Sequence, residues 1–263
     1  MSPVRVNSKP DFLIIGAQKE GTTSLFSWLT QHVDVIGPRT KELHFFDRRW
    51  VDSKVGGYWA EFPTRLRMNA AARVRRRTVV TGEATPYYLF HPLVPQRVHS
   101  VLPEVKLIVV LRDPVQRAIS HYWHEVNHGR EPLSLEDALA AEPDLIAPDL
   151  ERVARGQEPS RLLPANSYVA RGRYAEQLDR WGARFSPSQM LILSFADLVS
   201  QPLSVDRKTL EFIGVDPDAS PAPKFQTQNA GSRKPTRPET VEWLKEQFAV
   251  PNRQLAEHYG VVF

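Results

Sequence analysis

Three stretches of this chain bring together residue types that handle anions and protons. The first is DFLIIGAQKEGTTSLFSWL, Asp11 to Leu29. An apolar run ends at Gly16, Gly21 follows at the spacing of a Gly-x-x-x-x-Gly-Lys-[Ser/Thr] phosphate loop, and an apolar-periodic segment begins after it. Backbone N–H groups at the start of a helix, with the positive end of its dipole, form a ready anion site. Thr22, Thr23 and Ser24 add hydroxyl donors, so Gln18 to Ser24 (Gln18, Lys19, Glu20, Gly21, Thr22, Thr23, Ser24) are the candidate contacts. Thr22, however, stands where the pattern has its lysine, and the nearby lysine is Lys19, inside the loop. A lysine there can neutralise charge developing on a bridging oxygen as a terminal group departs. The alternative is a glycine-bounded turn with a solvated lysine.

The other two stretches are TKELHFFD, Thr40 to Asp47, and LRDPVQRAISHYWH, Leu111 to His124. Lys41, Glu42, His44 and Asp47 crowd a carboxylate, an imidazole and an ammonium into one segment. Arg112 can grip a phosphate with two prongs, and Ser120 can add a hydroxyl from a helix. Singly, Arg112 could equally pair with Asp113 or Glu125, and Ser120 could be a surface serine. Asp113 is the nearest candidate for a Mg²⁺-binding carboxylate, but Arg112 before it and Pro114 after it argue for another task. A metal-dependent nucleoside triphosphatase is therefore disfavoured.

These groups need a frame to position them. FLIIG reads as a buried parallel strand, and Thr22 to His32 as a helix with Leu25, Trp28 and Leu29 on one face. A second strand begins in TVVTGEATPYYLF, 78–90, and breaks at Pro86. VKLIVVLRDP, 105–114, is the clearest strand, and Pro114 can open a helix running to about Asn127 with Gly129 as its stop. Residues 128–166 read as a substrate-side excursion holding a short helix, Ser134 to Ala141. GRYAEQLDRWGARF is helical with Tyr174, Leu178 and Trp181 on one stripe, QMLILSFADL is a strand, and LSVDRKTLEFIG is a helix ended by Gly214. Residues 215–238 form a Pro-rich basic loop, and 239–259 a helix with a break near Pro251. Alternating strands and helices predict an α/β fold: a P-loop-type central parallel sheet flanked by helices on both faces.

The 263 residues suit a single domain, 1–263, with residues 1–10 as a flexible tail. A hydrophobic share of 41% with 24% charged residues is that of an ordinary globular protein. The net charge of +4 suits an anionic ligand without requiring one. With no cysteine there is no disulfide, thiolate metal site or cysteine nucleophile. The N-terminus has no apolar signal core, and no stretch approaches the ~20 apolar residues of a membrane span. The expectation is a cytoplasmic protein with no integral membrane segment and no nucleic-acid partner. RLRMNAAARVRRR, 65–77, is an Arg-rich helix candidate that either binds an acidic acceptor or is a solvated face.

GAQKEGTTSL resembles the 5′-phosphosulfate loop of the sulfotransferases that use 3′-phosphoadenosine 5′-phosphosulfate (PAPS). LRDPVQRAISHYWH resembles their 3′-phosphate motif, with Arg112 and Ser120 at its two marked positions. KELHFFD, GEATPYY and GRYAEQLDRW are similar to segments of the heparan sulfate O-sulfotransferase-like branch and its bacterial relatives. The resemblance implies a sulfuryl transfer from PAPS, leaving its product PAP, to a hydroxyl of a small-molecule or carbohydrate/glycolipid acceptor, with no metal. It makes Lys19 the leaving-group cation and Glu42 the base. His44 is the rival base, since an imidazole near ~6.5 can do the same work. Lys41, Asp47 and Glu83 become acceptor-side residues, Glu83 as a hydrogen-bonding support or a salt-bridge partner. Tyr174 and the basic-loop residues Gly231, Ser232, Arg233 and Lys234 become donor contacts. Two departures stand out. Glu20 replaces a small residue after the loop lysine, and the disulfide of eukaryotic members is lacking, as suits a bacterial-type enzyme. The rival readings are a P-loop small-molecule kinase and a non-catalytic polyanion-binding protein on the same fold. Whether the acceptor atom is oxygen or nitrogen stays open, as does the oligomeric state.

Overall fold

Phe12–Gly16 forms β1, and each of its residues is buried, as the unbroken apolar run requires. The computed structural model describes residues 6–48, 50–51, 54–160, 162–226 and 235–263. The chain continues through α1 (Thr22–Leu29), α2 (Phe45–Arg48), α3 (Val55–Trp59), α4 (Arg65–Arg75), β2 (Gly82–Ala84), α5 (Val94–Val101), β3 (Lys106–Leu111) and α6 (Pro114–Asn127). Then come α7 (Leu135–Ala154), α8 (Leu162–Asn166), α9 (Tyr174–Gly182), β4 (Met190–Ser194), α10 (Phe195–Ser200), α11 (Pro202–Ile213) and α12 (Pro238–Tyr259). Two compact units emerge, residues 1–111 with 184–228 and residues 112–183 with 229–263.

The first unit holds a four-stranded sheet in the order β2-β1-β3-β4, and all three pairings are parallel. From β1 the chain goes to β2 on one side and then to β3 on the other. The carboxyl end of β1 is thus a topological switch point, where open α/β sheets leave a crevice for ligands. The loop after Gly16 starts there. Ile14, Leu25, Trp28, Ile108, Val110 and Leu193 anchor the core on one side of the sheet. Each such side chain contributes roughly 1.5–3 kcal/mol by leaving water.

Three expectations for this unit change in detail. The strand in QMLILSFADL ends at Ser194, whose Oγ accepts from the N–H of Ala196 at 3.1 Å and of Asp197 at 3.4 Å, starting α10. Within the stretch read as a tail, Asn7 bridges Thr64 and donates to the Phe62 carbonyl at 2.7 Å. The Arg-rich segment is α4, capped by Thr64, with Met68 as its buried residue and Leu66 and Val74 turned to solvent.

In the second unit, Pro114 sits in the first turn of α6 and Asp113 caps it, its Oδ1 accepting from Gln116 N–H at 2.8 Å. Gly129 follows the helix at φ 67°. The short helix expected over Ser134–Ala141 is corrected. Ser134 is its cap, but α7 runs on through Pro143 and Pro148 to Ala154. Leu135, Leu139, Glu142, Ile146, Asp149 and Val153 are buried at alternating spacings of four and three, with Ala138 beside Leu139. That continuous stripe outweighs the hydrogen bonds the two prolines remove. Likewise α12 passes through Pro251 without the expected break, with Leu244, Phe248 and Leu255 buried on either side. Among the described residues no helix is long and apolar enough to cross a membrane.

Candidate active site

The loop between β1 and α1 closes on both of its glycines. A Cβ on Gly16 would lie 2.5 Å from Leu89 Cβ, inside any permitted contact. Gly21 caps α1 at φ 78°, and a Cβ there would lie 2.6 Å from Leu198 Cδ2. Both positions therefore demand glycine, as an anion cradle of exposed backbone N–H groups does. Lys19 stands between them at φ 74° and is half-buried. Glu20 is completely buried, so what this position can offer an anion is its backbone N–H rather than its carboxylate. Thr22 and Ser24 are buried in the first turn of α1, while Thr23 is partly open.

The segment read as the acceptor side comes to this same loop. Lys41 Nζ donates to Thr23 Oγ1 at 2.7 Å and lies 3.5 Å from Glu42 Oε1. The next charges form a row. Glu42 Oε2 is 3.7 Å from His44 Nε2, and His44 Nδ1 is 2.7 Å from Asp47 Oδ2. Burial opposes a charge on the His44 ring. Its hydrogen bonds to Asp47 and Glu42 outweigh burial and push it up to about 9. The hydrogen bond from His44, ahead of the opposing burial, holds the Glu42 carboxyl below its usual range, with help from Lys41. At neutral pH the pair is thus imidazolium and carboxylate, which leaves Glu42 able to accept a proton and His44 not.

Four non-glycine residues among those described have positive φ, and three of them are Lys19, Glu42 and His44. Each costs about 1–2 kcal/mol in a left-handed conformation. Strain of this kind persists where surrounding structure imposes it, commonly at functional sites.

Two of the acceptor-side residues are buried by packing. Asp47 has a fully buried side chain and is held by His44, whose ring it supports. Glu83 is also fully buried. Tyr58 Oη donates to its Oε1 at 2.6 Å, Tyr88 Oη to the same oxygen at 3.1 Å, and Thr85 Oγ1 to Oε2 at 2.7 Å. Burial raises its pKa, and these hydrogen bonds with one from the Leu43 backbone work against that rise. Hydroxyls therefore take the place of the arginine that could have paired with it. Tyr58 had no sequence signal as a member of this group, being 25 residues from Glu83.

The remaining candidates belong to the second unit. Arg112 follows β3 directly, is partly exposed, and precedes the α6 cap; Ser120 lies on α6 and is 3% exposed. Tyr174 opens α9 and is buried with Leu178 and Trp181, the stripe predicted from sequence, so its ring is a core residue. Gly231, Ser232, Arg233 and Lys234 lie outside the described residues.

Known proteins share this pattern. The family model described as "Sulfotransferase domain" matches residues 9–230. The mouse heparan sulfate glucosamine 3-O-sulfotransferase 6 is 33% identical over 206 residues, 78% of this chain and 52% of that protein. The mouse bifunctional heparan sulfate N-deacetylase/N-sulfotransferase 4 is 32% identical over 216 residues, 79% of this chain and 22% of that protein. The chain thus spans between about a fifth and a half of these curated relatives. A sulfotransferase of known structure from Alicyclobacillus acidocaldarius superposes with a TM-score of 0.71 at 30% identity, covering 97% of this chain and 98% of that one. With the family model covering most of its length and the glycine loop and parallel sheet in place, the chain belongs to the sulfotransferase domain family.

Proposed function

We propose that this protein moves a sulfuryl group from PAPS to a hydroxyl of a carbohydrate, glycolipid or other small-molecule acceptor, with Glu42 as the base. The observation that carries this reading is the junction of Lys41 with Thr23, which puts the base segment against the anion loop. The loop fits a phosphosulfate. It has two obligatory glycines, a helix N-terminus and an internal lysine, and it lacks the lysine that would grip a γ-phosphate. PAPS, when bound, supplies the activated sulfuryl group. Backbone N–H groups from Gly21 to Ser24 hold the 5′-phosphate, and Lys19 offsets negative charge at the departing oxygen. Glu42 removes the acceptor proton, kept ionised by imidazolium His44 and by Lys41. Arg112 and Ser120 keep the 3′-phosphate role implied by their motif. One of the relatives is named for sulfation at a glucosamine 3-hydroxyl and the other for N-sulfation. An amino sugar is accordingly the first acceptor to try, as an oxygen or a nitrogen nucleophile.

The test is calorimetric titration with adenosine 3′,5′-bisphosphate against ATP with Mg²⁺, on wild type and Arg112→Ala. Tight metal-independent binding of the bisphosphate that is lost in Arg112→Ala supports the proposal. Preferential binding of ATP with Mg²⁺ replaces it with the kinase reading. Binding of the bisphosphate without turnover of any hydroxyl or amine acceptor favours a non-catalytic binder.

A further inference from the structure

The most heavily hydrogen-bonded buried carboxylate of the first unit has no part in the steps above. Glu83 lies on β2, with all of its side chain out of solvent. Its four donors are the hydroxyls of Tyr58, Tyr88 and Thr85 and the N–H of Leu43. A carboxylate has about four lone-pair positions, so this one is fully occupied and acceptor-only. Leu43 is the residue between Glu42 and His44. Tyr88 extends the same grip. While donating to Glu83, its Oη accepts from Phe45 N–H at 3.1 Å and lies 3.5 Å from Phe46 N. The chain on the far side is held as well, since Arg97 Nη1 donates to the Phe46 carbonyl at 2.7 Å. Around these bonds Phe45 stacks on Tyr58 at 4.7 Å with 14° between ring planes, and Phe46 meets Tyr88 edge-on at 5.6 Å.

We propose that Glu83 is the positioning residue of the active site: directly through Leu43 and indirectly through Tyr88, it fixes the backbone of 43–46 and thereby the Glu42–His44–Asp47 row. The logic is one of imposed strain. Glu42 and His44 have φ 54° and 48°, conformations their side chains do not favour. Something buried must hold them there, and the N–H groups of Leu43, Phe45 and Phe46 are the handles. The acceptor-only character of Glu83 also sets direction. With Glu83 taking the Tyr88 proton, the Tyr88 oxygen is left to accept from the backbone. A glutamine here would turn an NH₂ toward hydroxyls that now donate to the carboxylate, so at least one of them would have to reverse its hydrogen bond, and the isosteric change is not silent. This inference rests on reading 41–47 as the base segment.

The test is the titration of His44 by imidazole NMR, assigned by its disappearance in His44→Asn. Its ring faces Asp47 and Glu42, with Arg48 opposing them, and against burial the two carboxylates push its pKa up to about 9. In Tyr88→Phe and Glu83→Gln the midpoint should fall by at least about one unit toward the ordinary ~6.5, because the row loosens. Turnover should fall about tenfold or more while affinity for adenosine 3′,5′-bisphosphate stays within about twofold, since no donor-loop atom is altered. Midpoints within ~0.3 unit of wild type in folded variants overturn the proposal, even where turnover drops, because the row then does not depend on this network. Should Glu83→Gln not fold, Tyr88→Phe decides alone, as it removes a single hydroxyl. The NMR readout does not depend on which group is transferred, so failure here and failure of the sulfotransferase assignment are separate results.

Discussion

Lys41 Nζ donates a 2.7 Å hydrogen bond to Thr23 Oγ1, tying the segment that carries Glu42 to the first turn of α1. Thr23 accepts from the ammonium, so its own proton is left to point at an anion in the loop, and the positive charge makes that proton a better donor. Lys41→Met should therefore weaken binding of adenosine 3′,5′-bisphosphate by about 5–10-fold, the loss of one charge-assisted hydrogen bond. Thr23→Val should cost a similar factor, and the double variant little more than either. Calorimetry on the three proteins checks this; fully additive losses would mean the two residues act separately.

On the proposed mechanism Glu42 and His44 divide the acid–base work by charge. The row Glu42–His44–Asp47 keeps the ring protonated, so Glu42→Gln removes the base whereas His44→Asn removes its support. Glu42→Gln should lower kcat by about 10²–10⁴-fold with nucleotide binding unchanged. His44→Asn should lower it less, by about tenfold. Single-turnover rates at saturating donor separate the two, and equal or reversed losses would make His44 the base.

The same row sets a pH window. Activity should fall in acid as Glu42 protonates, with a midpoint below the usual carboxylate range because its carboxyl is held down. On the alkaline side it should fall as His44 loses its proton at about 9. Stability follows the same signs. The raised His44 pKa contributes fully below ~6.5 and is lost as pH rises through about 9. The lowered Glu42 pKa contributes above ~4.3 and is lost as pH falls through its folded value. Rate profiles and thermal melts of wild type and His44→Asn check both; the alkaline limb should leave in the variant.

Local residue order was enough to expose the glycine loop and the α/β order, because glycine spacing, apolar runs and a Pro-opened helix are short-range signals. Long-range packing was not. Nothing near Glu83 announced Tyr58, since the two meet only in the fold, Tyr58 from α3 and Glu83 from β2, across 25 residues. The hydrogen bond of Asp47 to His44, three residues back, is likewise a matter of how the segment folds rather than of residue order. In α7 the two prolines masked a helix whose buried stripe was present in the sequence all along. Reading the spacing through Pro143 and Pro148, rather than stopping at them, would have recovered it.

Lys19 separates the demands of folding from those of chemistry. At φ 74° its backbone is in a region where glycine has no Cβ penalty, so Lys19→Gly relieves about 1–2 kcal/mol of strain. Glycine also gives the unfolded chain more freedom, which offsets about 0.5–1 kcal/mol of that gain. The variant should melt no lower than wild type. If Lys19 serves the departing oxygen as proposed, losing its amine should at the same time lower kcat by about 10²–10³-fold, the usual cost of deleting one preorganised charge. Gly21→Ala reverses the pattern. It has φ 78° and a clash with Leu198, so it should lower the melting temperature and bisphosphate binding together. Thermal denaturation and single-turnover kinetics on this pair check the division. A Lys19→Gly protein that melts well below wild type would show that the lysine side chain holds the loop rather than serving the transfer.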